Sequence, residues 1–92
     1  MNERFIIMNP KDNVATVLEE IPKQDTINID DKEIVINRKI KFGHKFALKD
    51  IKKGKYIFKY GQIIGKAKKD INAGDWVHTR NVKSVYMERI KR

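Results

Sequence analysis

Apolar and polar residues alternate along this chain in short runs. Arg4-Phe5-Ile6-Ile7-Met8, Thr26-Ile27-Asn28-Ile29 and Glu33-Ile34-Val35-Ile36-Asn37 each read as a strand, the last followed by Ile40 and Phe42. Phe46-Ala47-Leu48, Tyr56-Ile57-Phe58, Gln62-Ile63-Ile64, Trp76-Val77-His78 and Ser84-Val85-Tyr86-Met87 continue the series. A period of two is what a sheet with one buried and one solvated face requires. Val14-Ala15-Thr16-Val17-Leu18 fits a further strand, and a short helix capped by Asp12 fits it nearly as well. The breaks are polar or glycine-rich. Asp30-Asp31 separates two strands, and Gly61 and Gly65 bracket a step suited to a tight hairpin or a close backbone approach. No heptad, long amphipathic helix or linker intervenes. Short strands joined by Gly and Asp turns predict a mainly β fold, with residues 1–92 as a single domain.

The turns repeat. Asp50-Ile51-Lys52-Lys53-Gly54-Lys55-Tyr56-Ile57 aligns with Asp70-Ile71-Asn72-Ala73-Gly74-Asp75-Trp76-Val77, and Glu20-Ile21-Pro22-Lys23-Gln24-Asp25-Thr26-Ile27 is a weaker copy. In this pattern the Asp accepts backbone N–H groups at a tight turn, and the Ile anchors the turn on the core. The glycine supplies a positive φ before the next strand. Gly54 and Gly74 are therefore expected at positive φ, and Ile51 and Ile71 are expected to be buried.

Composition changes the picture in two ways. There is no cysteine, which excludes a disulfide framework, a cysteine zinc site and a thiol nucleophile. No apolar run reaches the roughly 20 residues of a membrane span, and the first ten residues lack the pattern of a signal peptide, so a cytoplasmic location without membrane partners is expected. Charge matters more. Lys plus Arg number 21 against 12 Asp plus Glu, a net +9. Such a balance invites a nucleic-acid partner or an anionic substrate. Lysine with frequent isoleucine is also what an A/T-rich or thermophilic genome produces. The basic stripe Lys49–Lys69 carries Tyr56, Phe58 and Tyr60, which could stack bases. Tyr56 and Phe58 nevertheless alternate with Ile57 and Lys59 as in an ordinary half-buried strand. With no RNA-recognition, helix-turn-helix or zinc-finger signature, no specific nucleic-acid partner is expected.

Candidate chemistry is sparse. The two histidines, His44 and His78, accompany one turn repeat each. An imidazole can bind a divalent metal or move a proton, and it can equally be an ordinary hydrogen-bonded surface residue. Lys59-Tyr60-Gly61 could hold an anionic ligand or polarise a hydroxyl. Trp76, the one tryptophan, reads as a core residue. No phosphate-binding glycine loop or nucleophile elbow is present.

The order of these motifs resembles a known family. Gly43-His44-Lys45-Phe46-Ala47-Leu48-Lys49-Asp50-Ile51-Lys52-Lys53-Gly54, then Lys59-Tyr60-Gly61-Gln62-Ile63-Ile64-Gly65-Lys66-Ala67, then Asp70-Ile71-Asn72-Ala73-Gly74-Asp75-Trp76-Val77-His78, closing on Asn81, is similar to the small subunit or N-terminal domain of altronate and galactarate dehydratases, a family that includes sulfolactate sulfo-lyases. The opening Asn9-Pro10-Lys11-Asp12-Asn13-Val14-Ala15-Thr16 also resembles the start of that domain. The resemblance implies a SAF-type β-clip fold. It implies a lyase subunit that acts with a larger catalytic dehydratase chain on a sugar acid, giving a 2-keto-3-deoxy acid with help from a divalent metal (iron, manganese or magnesium) held mostly by the partner. It points to His44 and His78 as acid, base or metal ligands, and to Lys45, Tyr60, Arg80 and Asn81 as substrate contacts. One position departs from the pattern. Many members carry a second histidine two residues beyond the one matching His78, where this chain has Arg80. The competing reading is a stand-alone SAF-type module that binds a carbohydrate, an anion or a nucleic acid. The isolated chain as a homodimer is compatible with either.

Overall fold

The alternating segments pair into two hairpins built around one central sheet. The computed structural model describes residues 4–84. Its strands are β1 (Phe5–Ile6), β2 (Val14–Val17), β3 (Thr26–Ile29), β4 (Lys32–Val35), β5 (Lys45–Ala47), β6 (Tyr56–Lys59), β7 (Gln62–Ala67), β8 (Trp76–Val77) and β9 (Val82–Ser84). All pairings among them are antiparallel. The central sheet runs β1-β2-β5-β8, the first hairpin is β3-β4, and β6-β7 carries β9 on its edge. The mainly β expectation holds, with no helix among the described residues. The segment left open between strand and helix is β2, because Ala15 and Thr16 find ladder partners in Phe46 and Lys45. Val85-Tyr86-Met87, the remainder of the last predicted strand, lies outside the described residues.

Each hairpin is launched by the same device. Ile21 and Ile40 form an isolated antiparallel bridge, exchanging N–H···O bonds of 2.9 Å each way, and so do Ile51 and Ile71 at 2.7 and 2.8 Å. Three residues beyond each isoleucine the backbone has positive φ: Gln24 at 75°, Gly43 at 84°, Gly54 at 88° and Gly74 at 90°. The Lys39-Ile40-Lys41-Phe42-Gly43-His44 turn is thus a fourth copy of the repeat, one that the sequence reading did not identify. Phe42, placed there in the continuation of a strand, is instead 71% exposed on that turn. Ile51 and Ile71 are buried as expected. The aspartates depart from expectation in an informative way. Asp50 Oδ1 accepts from Ala73 N and Asp70 Oδ1 accepts from Lys53 N, so each carboxylate braces the other's turn.

The hairpins close through two consecutive positive-φ residues, Asp30-Asp31 in one and Tyr60-Gly61 in the other, as turns matched to strand twist demand. Segments 21–47 and 51–77 therefore follow one plan. Their cores are separate clusters on the two faces of the central sheet. Ala15, Val17 and Phe46 join Ile21, Ile27, Ile34, Ile36 and Ile40 in one cluster, while Val14, Ala47 and Val77 join Ile51, Ile57, Ala67 and Ile71 in the other. Neighbours along β2 and β5 thus serve opposite cores, the period of two read at a sheet buried on both faces. Each fully buried isoleucine stabilises the fold by roughly 1.5–3 kcal/mol. Gly65 serves a close approach, since a Cβ there would run into Val82 and the Lys83 carbonyl of β9.

Candidate functional site

The register of β5 against β8 builds the site. Lys45 pairs with Val77 and Phe46 with Trp76, so the next position outward sets His44 opposite His78. Residues two apart on a strand share a face, which puts Trp76 beside His78 and diagonal to His44. The side chains use this placement. Trp76 and His78 stack with centroids 3.8 Å apart and planes 20° apart, and the Trp76 Nε1–H donates to His44 Nδ1 at 3.1 Å. The Arg38 guanidinium lies over the same indole, 4.8 Å from its centroid. Trp76 packs partly against the core, as the sequence suggested, yet its indole is also what ties the two imidazoles together.

The strand ends are fixed by backbone bonds. Gly43 turns the chain into β5, and the His44 carbonyl accepts from Val17 N at 2.8 Å. Beyond β8 the chain folds back over residues 78–81. Asn81, buried, accepts from His78 N at 2.9 Å through Oδ1 and donates from Nδ2 to the Trp76 carbonyl at 2.8 Å. The Arg80 N–H donates to His78 Nδ1 at 3.3 Å.

These residues border a cavity of about 640 Å³, with His44, Lys45, Trp76, His78 and Arg80 on its wall and Ile64 and Val82 as apolar lining. That size suits a small organic ligand. A second hollow of about 440 Å³ shares His44 and Trp76 and is otherwise lined by Lys23, Arg38, Lys39 and Lys41. No Asp or Glu lines either one among the described residues. Both titratable groups that respond do so as cations in crowded positive surroundings. Burial, then the charges of Arg38, Arg80, Lys69 and His44, hold His78 below its ordinary value. Burial, then Lys59, does the same to Lys45.

Of the residues singled out in the sequence, four line one cavity together: His44, Lys45, His78 and Arg80. Two are not on its wall. Asn81 has both ends of its amide engaged with the backbone of its own turn, which holds the end of β8 in shape. Tyr60 sits at the tip of the β6-β7 hairpin, 57% exposed, and borders neither hollow; its N–H and that of Gly61 donate to Asp12, and Lys59 lies over its ring. Trp76 and Arg38 are the members that sequence reasoning missed. The signal for Trp76 was available: it stands two residues before His78 on one strand. A divalent metal on His44 and His78 fits poorly. The Nδ1 of each ring already accepts a hydrogen bond, and no three His, Asp or Glu side chains come together among the described residues. These residues alone do not form a metal centre.

A family model described as the altronate/galactarate dehydratase SAF domain matches residues 3–85. The chain belongs to that family. Among curated relatives of this SAF-domain chain, altronate dehydratase of Escherichia coli (strain K12) is 37% identical over 81 residues, and altronate dehydratase of Bacillus subtilis (strain 168) is 39% identical over 80. The matches cover 88% and 87% of this chain but 16% of each enzyme. The (2R)-sulfolactate sulfo-lyase subunit alpha of Paracoccus pantotrophus is 47% identical over 45 residues, 49% of this chain and 67% of that subunit. This SAF domain is therefore similar to parts of lyases, in one case to a separately named subunit. No helix among its described residues is long and apolar enough to cross a membrane.

Proposed function

We propose that this chain is the small SAF-domain subunit of a sugar-acid dehydratase of the altronate type, working with a separate larger chain to eliminate water and give a 2-keto-3-deoxy acid. The observation that carries this reading is the cavity where His44, Lys45, His78 and Arg80 converge with no acid among its described lining residues, in a chain matching 16% of two altronate dehydratases. Elimination removes a proton beside a carboxylate and expels a hydroxyl one carbon further on. Negative charge builds on the carboxylate side as it proceeds, and fixed cations stabilise it. Lys45 and Arg80 supply that charge. The imidazoles bordering the same cavity can donate hydrogen bonds to that carboxylate or to the departing hydroxyl, while the groups that move protons come from the larger chain. The larger chain closes the cavity against water and carries any divalent metal the reaction uses.

The test is a reconstitution. The chain is assayed for water loss from altronate and galactarate, alone and mixed with a chain matching the remainder of an altronate dehydratase, with iron, manganese or magnesium present. Turnover is expected only in the mixture, and His44→Ala or His78→Ala should lower it at least about tenfold. Ordinary rates from the chain alone would overturn the two-chain reading. Saturable acid binding with no turnover in any mixture would favour a stand-alone binding module.

A further inference from the structure

His44 and His78 differ in sequence context, yet both rings are held in the same way. The group facing His44 Nδ1 at 3.1 Å is the Trp76 indole N–H, and the group facing His78 Nδ1 at 3.3 Å is the Arg80 backbone N–H. Each of these partners can only donate. Each Nδ1 must therefore present its lone pair. A neutral imidazole carries one ring proton, so in both residues that proton is on Nε2. An imidazolium would carry a proton on Nδ1 as well and would lose both bonds.

We propose that His44 and His78 form a pair of Nε2–H donors that bind an oxyanion of the ligand directly, and that Trp76 and the Arg80 backbone set this tautomer. The inference rests on the acid-binding reading of the cavity and specifies how the acid is held. A metal ion coordinated through Nε2 needs a lone pair there, and these rings offer a hydrogen. A dication would also sit among Lys45, Arg80 and Arg38, with no carboxylate lining the cavity among the described residues. An oxyanion meets donors and positive charge throughout. The stacked Trp76 ring, 3.8 Å from His78, fixes the plane in which the donor points. Trp76 is thus a positioning residue, acting on the ligand through His44 by its hydrogen bond and through His78 by stacking.

Long-range ¹H–¹⁵N correlation spectra of the histidine rings in the full 92-residue chain test this directly. Both rings should show the Nε2–H tautomer near neutral pH. Titrating sulfate, and separately the hydroxy acid gluconate, should shift the two Nε2 resonances, whereas magnesium or manganese should not act on them at concentrations comparable to the protein. Trp76→Phe keeps an aromatic ring but removes the donor. It should return His44 to a mixture of tautomers and weaken anion binding roughly three- to tenfold, the range of one hydrogen bond, while His78 stays Nε2–H. An Nδ1–H tautomer in either ring, manganese bound at the ring nitrogens, or no response to any anion would overturn the proposal. A response to sulfate but none to gluconate would support the donor pair and count against the sugar-acid reading instead.

Discussion

Lys45 holds a positive charge at a half-buried strand position, and its side chain has no ion pair or hydrogen bond among the described residues. Burial and Lys59 hold its pKa below the ordinary 10.5. The unfolded chain therefore binds this proton more readily than the folded one, and at neutral pH the charge costs stability. A residue that destabilises the free protein and lines its cavity has a functional explanation open to it. Lys45→Met should raise the melting temperature of the free chain and weaken carboxylate binding by at least about tenfold, the loss of one charge-assisted hydrogen bond. A lower melting temperature would show that the ammonium has a structural partner. His78 obeys the same sign at lower pH. Its folded value lies below the ordinary 6.5, so its contribution to stability is intact above 6.5 and is lost as pH falls through the folded value. Thermal melts between pH 5 and 8 should show this slope in the native chain, and it should be reduced in His78→Gln. An NMR titration placing His78 above 6.5 would refute the assignment.

At the scale of elements, two glycines with the same backbone geometry should respond differently to the same change. Gly54 and Gly74 have φ of 88° and 90°. Around Gly54 a Cβ would meet nothing within 4 Å, whereas at Gly74 it would run into the Val35 carbonyl oxygen. Gly54→Ala should then cost about 1–2 kcal/mol of backbone strain, and Gly74→Ala roughly 2–5 kcal/mol, the same strain plus overpacking. Denaturant midpoints would measure both, and equal values would mean that the Val35 contact yields freely. The local chemistry of these turns was legible in the sequence because Ile, Gly and polar spacing act within a few residues. Their partners were not. Asp50 and Asp70 look like caps of their own turns but serve each other's, a pairing set by the Ile51–Ile71 bridge. The fourth turn escaped notice because Lys39 stands where the other copies have an acid. The offset of 20 residues marks turns that meet, while the architectural repeat relates 21–47 to 51–77.

For the whole molecule, the same distinction decides what could be read of the site. His44 and His78 could be singled out by type and order, but their meeting depends on β5-β8 register, a long-range fact. Tyr60 was grouped with them by motif, and the hairpin turn leaves it off the cavity wall, with its N–H bonded to Asp12. The net charge of +9 adds a property of the whole surface. Part of the attraction for an anionic acid should be long-range and should weaken several-fold between 0.05 and 0.5 M salt as the screening length shortens. A dissociation constant independent of salt, measured by calorimetry, would place all the recognition in direct contacts.

The cavity also spans a seam. Lys45 belongs to the first repeat and Val77 to the second, and two separate cores stand behind them. A ligand seated between His44 and His78 therefore acts as a rivet across the two halves. At a hundredfold excess over its dissociation constant it would add about 2.7 kcal/mol against their separation. Hydrogen exchange should then slow in both hairpins at once, far from any atom the ligand touches. Protection confined to β5 and β8 would mean that the halves open independently.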